Sequence, residues 1–263
     1  MKLFIRKIYE SGYPEDKPPK DRVTFILQKF AEWFPFENTD VMNHNIDPVT
    51  PAFLIKKMVT ASRGGLCYEI NPLLYLVLKE LGFRPTLAAA TVKNKDEWVL
   101  DGTHALVLLE IDHEKYIADS GFGNRLALAP LQLDGPEVIS PAGAFRLRSV
   151  STEKGAVVME HSADHEEWSI CYAFDWAPVT WESLNRMKKT IHEHPRSPFN
   201  KELLIASVLE DGTISINEKR QHKKWMDGTE ETVYFKNEQC LLDKIGAQFH
   251  PSLVKEVEKY KLK

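Results

Sequence analysis

The hydrophobic periodicity of this 263-residue chain changes once, near Arg84, and this change restricts the folds open to it. Before Arg84, apolar residues recur at the helical spacing i, i+3, i+4 and i+7, as in Val23, Ile26, Leu27 and Phe30. After Arg84, turn residues separate short apolar or alternating runs, a pattern that favours an antiparallel barrel or sandwich. The sequence therefore predicts a helical first third followed by a β-rich segment.

The last third of the chain mixes the two patterns. Helical spacing returns from Trp181, two hairpins turn at Gly212 and Gly228, and a final helix is expected from about Asn237. We therefore predict an α+β protein in three consecutive parts. These are helical residues 1–84, β-rich residues 85–190 and mixed residues 191–263.

Composition narrows the classes of function. A net charge of −4 and a pI near 6.2 argue against a general nucleic-acid-binding protein. Cys67, Cys171 and Cys240 are widely separated, so neither a disulfide framework nor a zinc finger is expected, and a reducing compartment fits. No apolar run is long enough to span a membrane, and the amino terminus does not read as a signal peptide. We expect a cytoplasmic protein without metal, nucleic-acid or membrane partners.

Cys67 is the residue with the clearest chemical context. Gly64 and Gly65 lead into Cys67, which opens an apolar segment with helical spacing. A helix start offers free backbone N–H groups and the positive end of the macrodipole, both of which favour a thiolate. The alternative is a small buried cysteine beside a loop.

His104 and Asp119 belong to two strands that a tight turn at Asp112-His113 can join. If Ile111 pairs with Glu114, Asp119 falls within diagonal reach of His104 on the same face of the sheet. Each residue also has an ordinary explanation, as a strand histidine and as a turn acid. Together with Cys67 they supply a thiol, a base and an acid that orients the base, which are the roles that nucleophilic acyl chemistry needs.

Several stretches resemble the arylamine N-acetyltransferases, in the right order and over nearly the whole chain. Arg63–Asn71 resembles the family's cysteine signature, and Phe34–Asn38 is similar to its Pro-Phe-Glu-Asn element. Thr103-His104 and Tyr116–Gly123 match the histidine and Asp-x-Gly-Phe-Gly stretches, and His194–Phe199 resembles the Pro-x-Ser-x-Phe element. Ser120, where an apolar residue is common, and Pro72 depart from the pattern without touching the triad.

The resemblance implies an activity and a fold. Cys67 would take an acetyl group from acetyl-CoA as a thioester and pass it to an aromatic amine or hydrazine in a ping-pong reaction. His104 would move the proton and Asp119 would orient His104. The implied fold is a helical bundle carrying the nucleophile, a central antiparallel β-barrel carrying His104 and Asp119, and an α/β lid, around a triad core like that of cysteine proteases.

The resemblance also implies binding residues. The expected CoA contacts are Thr103, Gly121, Gly123 and Ser197. The expected acceptor contacts are Phe36, Tyr68 and Phe122, although Phe36 and Tyr68 would also suit the core. Arg63 and Glu69 are expected to form a buried pair that holds the cysteine loop.

Other functions stay open on the sequence. A cysteine hydrolase or transglutaminase-like enzyme uses the same triad, an amide synthase of the same fold needs no CoA, and a binding protein needs only the fold. A homodimer also stays open.

Overall fold

The computed structural model describes residues 1–261, so the last two residues of the predicted third part lie outside the described residues. Helices fill the first third of the chain and recur near its end. They are α1 Lys2–Glu10, α2 Pro19–Trp33, α3 Thr39–Met42, α4 Pro51–Leu54, α5 Cys67–Glu80, α6 Trp181–Glu193, α7 Glu238–Gln248 and α8 Pro251–Lys261. A π-helical segment, Ile55–Thr60, continues α4 directly.

The strands form two sheets. They are β1 Phe36–Glu37, β2 Thr86–Asn94, β3 Glu97–Trp98, β4 His104–Ile111, β5 Glu114–Ala118, β6 Leu131–Gln132, β7 Val138–Ser140, β8 Gly143–Thr152, β9 Gly155–Ser162, β10 Ser169–Phe174, β11 Ile205–Val208, β12 Gly212–Ile216, β13 Arg220–Trp225 and β14 Glu230–Tyr234. The change of periodicity near Arg84 thus coincides with the end of α5 and the start of β2.

The helical part matches its sequence pattern closely. Thr50 caps α4 by accepting a hydrogen bond from the Phe53 amide at 3.1 Å, with Pro51 at the first helical position. Helix α5 continues through Pro72 with Cys67 as its first residue, so Pro72 does not move the start of the helix. Sequence patterning did not indicate α1, whose Phe4 packs edge-on against the aromatic rings of α2.

The nine strands β2 to β10 form an antiparallel sheet with the order β6-β5-β4-β2-β10-β9-β8-β7, and β3 pairs with β2. A bridge between Leu133 and Leu147 returns the β6 edge to β8, so the sheet curls into a nearly closed barrel. Its interior is filled by fully buried side chains such as Phe145, Leu147 and Tyr172. Of the barrel and sandwich alternatives, the structure shows the barrel.

The remaining five strands form the order β1-β11-β12-β13-β14, covered by α7 and α8. Strand β1 belongs to the helical first third, yet it pairs with β11 through Phe36–Ala206 and Glu37–Ile205. The α+β class is confirmed, whereas the three-part division stays a prediction. Helix α6 runs across the proposed boundary at residue 190, and β1 joins the first part to the last.

Candidate active site

Cys67 begins α5 at the end of a loop that is fixed by backbone pairing. The Gly65 amide donates to the Pro35 carbonyl at 3.2 Å, and the Glu37 amide donates to the Gly65 carbonyl at 3.0 Å. Because the first helical N–H groups have no partner inside the helix, the backbone amides around Cys67 are suited to bind a developing oxyanion. The thiol itself is 7% exposed.

A buried group of five charged residues, here called the ion cluster, supports that loop: Glu37, Asp40, Lys57, Arg63 and Glu69. Arg63 Nη2 lies 2.8 Å from both Glu37 Oε1 and Asp40 Oδ1. Lys57 Nζ lies 2.9 Å from Glu69 Oε1, and Glu69 Oε2 accepts from the Leu66 amide at 3.0 Å.

The ion cluster corrects the expected pairing of Arg63 with Glu69, which was wrong in its partners. Both residues are buried and hold the cysteine loop, but each has different partners, because Arg63 binds Glu37 and Asp40 while Glu69 binds Lys57. Burial alone would raise the pKa of Asp40, yet the charges of Lys57 and Arg63 hold it well below its usual range. The carboxylate of Asp40 is therefore ionised in the folded protein.

His104 and Asp119 meet as the strand register predicted. Ile111 pairs with Glu114 across a turn in which Asp112 and His113 have φ of 52° and 66°. The Nε2 atom of His104 donates to Asp119 Oδ2 at 2.7 Å. Because Nε2 is engaged with the carboxylate, Nδ1 is the ring nitrogen left for the thiol.

Three further groups hold the Asp119 carboxylate. Asn71 Nδ2 and the Gly121 amide each donate to Oδ1 at 2.8 Å, and the Tyr172 hydroxyl donates to Oδ2 at 3.0 Å. The sequence did not indicate these roles. Asn71 lies inside the cysteine signature and Tyr172 lies inside a predicted strand. The sequence therefore indicated the element of each residue, but not its hydrogen bond to Asp119.

Asn71 also joins the helix of the nucleophile to the sheet of the base. Its Nδ2 donates to the Ala105 carbonyl at 2.7 Å and its Oδ1 accepts from the Ser120 amide at 2.9 Å. Gly121 packs so closely on the same helix that a Cβ there would come within 2.7 Å of Cys67 Cα. The relative positions of Cys67, His104 and Asp119 are therefore fixed by direct contacts.

The imidazole of His104 is protonated at neutral pH. Its burial would lower the pKa, but the charge and hydrogen bond of Asp119 and a hydrogen bond with the Cys67 side chain raise it to about 10. The Cys67 thiol also donates to the Thr103 carbonyl oxygen at 3.5 Å. A cationic imidazole therefore stands beside the Cys67 side chain at the start of α5.

The raised pKa of His104 predicts a pH-dependent stability. The pKa of a histidine in the unfolded chain is about 6.5. His104 therefore contributes its full stabilisation below that pH and loses it as the pH rises toward about 10, its pKa in the folded protein. We expect the difference in free energy of unfolding between wild type and His104→Gln, from urea titrations, to shrink across this range. A difference that stays constant with pH would contradict the assignment.

A cavity of about 410 Å³ opens over the thiol. Cys67, His104, Gly121 and Gly123 line it beside mainly apolar side chains, which include Phe36, Val99, Leu100, Phe122, Phe199 and Leu204. Five of the expected binding residues line this cavity above Cys67: Phe36, Thr103, Gly121, Phe122 and Gly123.

The hydroxyl of Thr103 is engaged within the fold, and the other two expected binding residues, Ser197 and Tyr68, lie outside the lining of this cavity. Thr103 lines the cavity, but its hydroxyl donates to the Leu100 carbonyl at 2.8 Å. Ser197 is 1% exposed and its hydroxyl accepts from the Phe199 amide at 3.3 Å. Tyr68 is buried in the main core, outside the residues that line the cavity. The roles of all seven expected binding residues as ligand contacts stay predictions.

Comparison with known proteins agrees with this geometry. The N-acetyltransferase family model matches residues 21–257. An uncharacterized acetyltransferase of Bacillus subtilis is 40% identical over 222 residues, which are 83% of this chain and 87% of that protein. The chain therefore belongs to the arylamine N-acetyltransferase family.

Solved structures show the same fold. Arylamine N-acetyltransferase C of Bacillus anthracis is 31% identical, with a TM-score of 0.83 over 88% of this chain and 90% of that chain. A Bacillus cereus arylamine N-acetyltransferase is 33% identical, with a TM-score of 0.81 over 89% and 92%, and is described as having a Cys-His-Glu catalytic triad. No helix within residues 1–261 has the length and apolar character required to cross a membrane.

Proposed function

We propose that this protein is an acetyl-CoA:arylamine N-acetyltransferase that carries the acetyl group on Cys67. The observation that carries the proposal is the contact of His104 with both Asp119 and Cys67 at the base of an apolar cavity. Proteins of this family use acetyl-CoA as the acetyl donor. The cavity fits a flat aromatic acceptor, since most of its lining side chains are apolar.

In the first half-reaction Cys67 attacks the acetyl carbonyl. A bond forms between Sγ and the carbonyl carbon, the bond from that carbon to the CoA sulfur breaks, and His104 gives its proton to the departing sulfur. Backbone N–H groups at the start of α5 stabilise the oxyanion. The exchange of one thioester for another leaves acetyl on Cys67 and free CoA.

In the second half-reaction the amine attacks the Cys67 thioester. Acetylation of Sγ removes the interactions with the Cys67 side chain that help to raise the pKa of His104, so that pKa falls and the neutral imidazole can act as a base. His104 takes a proton from the amine nitrogen as the new C–N bond forms and the thioester bond breaks. The product leaves, and the Cys67–His104 pair is restored.

Asp119 is proposed as the third member of the triad. The Bacillus cereus relative is described with a glutamate in that role, whereas in this chain an aspartate accepts the His104 hydrogen bond. Four donors from His104, Asn71, Gly121 and Tyr172 surround the Asp119 carboxylate. Despite burial, the charge and hydrogen bond of His104 and the hydrogen bonds from Asn71 and Gly121 lower its pKa. A buried anion held in this way keeps the imidazole oriented with Nδ1 toward Cys67.

The donor needs room beyond the catalytic cavity. A second cavity of about 590 Å³ adjoins it and shares Asn124 and Arg125 as lining residues. The lining of this second cavity carries two cations, Arg125 and Lys224, and two acids, Asp164 and Asp227. The two cations offer contacts for the phosphates of CoA. Gly121 and Gly123 at the junction would let the backbone approach the pantetheine arm.

The test is intact mass spectrometry after incubation with acetyl-CoA. We expect one added acetyl group in wild type and in Cys240→Ala, none in Cys67→Ala, and rapid loss of the group when an arylamine is added. Cys240 is the matched control, because it is a partly exposed thiol outside the cavity. Acetyl loss at the same rate without amine would indicate a hydrolase, and a reactive Cys67 that acetyl-CoA never acetylates would favour an amide synthase.

The location and the oligomeric state of the protein stay predictions. We infer a cytoplasmic location, and the choice between a monomer and a homodimer stays open. Sedimentation of the purified protein over a range of concentrations tests the dimer, and fractionation of cells that express it tests the location.

A further inference from the structure

A third cavity, here called the rear cavity, borders the segment that leads into β1. Its volume is about 240 Å³, and among residues 1–261 it shares no lining residue with the catalytic cavity. Phe34 and Pro35 line the rear cavity, whereas Phe36 lines the catalytic cavity. Consecutive residues of one segment therefore separate the two cavities.

The walls of the rear cavity come from both ends of the chain. Helices α1 and α2 supply Phe4 and Trp33, the π-helical segment supplies Met58 and Val59, and the turn between α7 and α8 supplies Phe249. Phe4 and Met58 are 2% and 1% exposed, so part of this wall belongs to the core. Mainly apolar and aromatic walls with a few polar groups are typical of a small-molecule site.

The backbone along one wall is unusual. Met58 and Val59 belong to the π-helical segment, and π-helical turns are rare and frequent at functional sites. Ser62, which also lines the rear cavity, has a φ of 51°, uncommon for a residue with a side chain. Its carbonyl accepts a hydrogen bond from the Ser252 hydroxyl at 3.2 Å, so α8 holds this wall in place.

The rim of the rear cavity favours an anion at Lys7. The Nζ atom of Lys7 lies 4.1 Å from the centroid of the Trp33 ring, and Lys29 Nζ lies 6.0 Å from the same ring. Across the described chain Lys7 forms no ion pair with a carboxylate, whereas Glu32 at the rim pairs with Lys29 at 2.7 Å. One positive charge beside Trp33 is therefore left without a counter-ion.

The volume of the rear cavity limits the size of its ligand. A cavity of about 150 Å³ can hold benzene, so about 240 Å³ has room for one aromatic ring or two fused rings. Trp33 and Phe249 supply aromatic side chains against which such rings pack favourably.

We propose that the rear cavity binds a small aromatic carboxylate, with its rings between Trp33 and Phe249 and its carboxylate beside Lys7. The ligand contacts Pro35, whose carbonyl holds the Gly65 amide, so it touches a segment that fixes the loop of Cys67. Because its walls come from both ends of the chain, a bound ligand stabilises the fold by mass action. This site is independent of the transferase function proposed above.

Isothermal titration calorimetry with 2-naphthoate and its neutral analogue 2-naphthylmethanol tests the proposal. We expect wild type to bind 2-naphthoate more tightly than the alcohol. Lys7→Gln should weaken the binding of 2-naphthoate about threefold to fivefold, as for loss of an exposed ion pair, and change that of the alcohol less than twofold. Val59→Trp fills the rear cavity and should abolish binding of both compounds.

The matched control removes charge from the catalytic cavity instead. The double variant Arg125→Gln/Arg196→Gln should keep the dissociation constant of 2-naphthoate within twofold of wild type, because both arginines line the catalytic cavity and neither lines the rear cavity. Binding that this double variant loses and Lys7→Gln retains would place the ligand in the catalytic cavity and overturn the proposal.

The remaining outcomes are also decisive. Absence of saturable 2-naphthoate binding to wild type, or equal affinity in Lys7→Gln, overturns the proposal. Lys7 is an exposed residue, so this second result can be obtained even if Val59→Trp does not fold. Wild-type enzyme that binds 2-naphthoate as expected but never gains an acetyl group on Cys67 refutes the proposed function and leaves the rear cavity as a binding site.

Discussion

Asp119→Asn is expected to lower turnover by about 10³–10⁴-fold, because an amide cannot fix the imidazole in its working orientation. Asp119 accepts four hydrogen bonds, among them those from His104 and Tyr172. Asparagine offers one acceptor oxygen and sets an N–H donor against donors that already point inward. Steady-state acetylation of an arylamine, at saturating acetyl-CoA, measures the loss.

Two variants isolate the role of Asp119 from a general disturbance. Asp119→Glu keeps the negative charge but displaces it by one methylene, so it should retain more activity than Asp119→Asn. Asp211→Asn changes an exposed turn residue in the same way and should turn over at the wild-type rate. If Asp119→Asn turned over as fast as wild type with its fold intact, Asp119 would have no part in the mechanism.

Arg63→Met is expected to destabilise the protein by about 3–5 kcal/mol, because it leaves buried carboxylates without a partner. Arg63 is 7% exposed and binds Glu37 and Asp40. Lys57 alone would then face three acids of the ion cluster. The free energy of unfolding from urea titration, monitored by tryptophan fluorescence, gives the measurement.

The matched control for Arg63→Met is Arg6→Met. Arg6 Nε lies 2.7 Å from Glu10 Oε1, a distance similar to those of Arg63, but both side chains are largely exposed. An exposed pair contributes about 0–1 kcal/mol, so this variant should stay near wild-type stability. Equal losses in the two variants would show that burial of the ion cluster does not set the cost.

Two parts of the geometry of the proposed triad were predictable from short-range rules, namely the His104–Asp119 pair and the helix start at Cys67. The Asp112-His113 turn fixes the pairing of Ile111 with Glu114, and the two-residue period of a strand then puts His104 and Asp119 on one face. The helix start at Cys67 follows from the glycines and the apolar spacing after it. These inferences span at most a few turns or one hairpin.

Contacts between distant segments were not predictable from patterns of this kind. Two-residue β1 has no periodicity of its own, so its pairing with β11 gives no local signal. Tyr172 is one of many inward strand residues, and only the barrel closure brings its hydroxyl to Asp119. The separate partners of Arg63 and Glu69 likewise depend on how β1 and α4 pack around the loop.

The pairing of β1 with β11 has a consequence for synthesis on the ribosome. Asn38, next to β1, donates to the carbonyls of Phe199 and Glu202 and accepts from the Leu204 amide. Asn38 cannot form these hydrogen bonds until their partners, which lie more than 160 positions later in the chain, have been synthesised. A nascent chain that already contains Cys67, His104 and Asp119 but not residues 199–204 therefore lacks the hydrogen bonds that hold the segment beside β1.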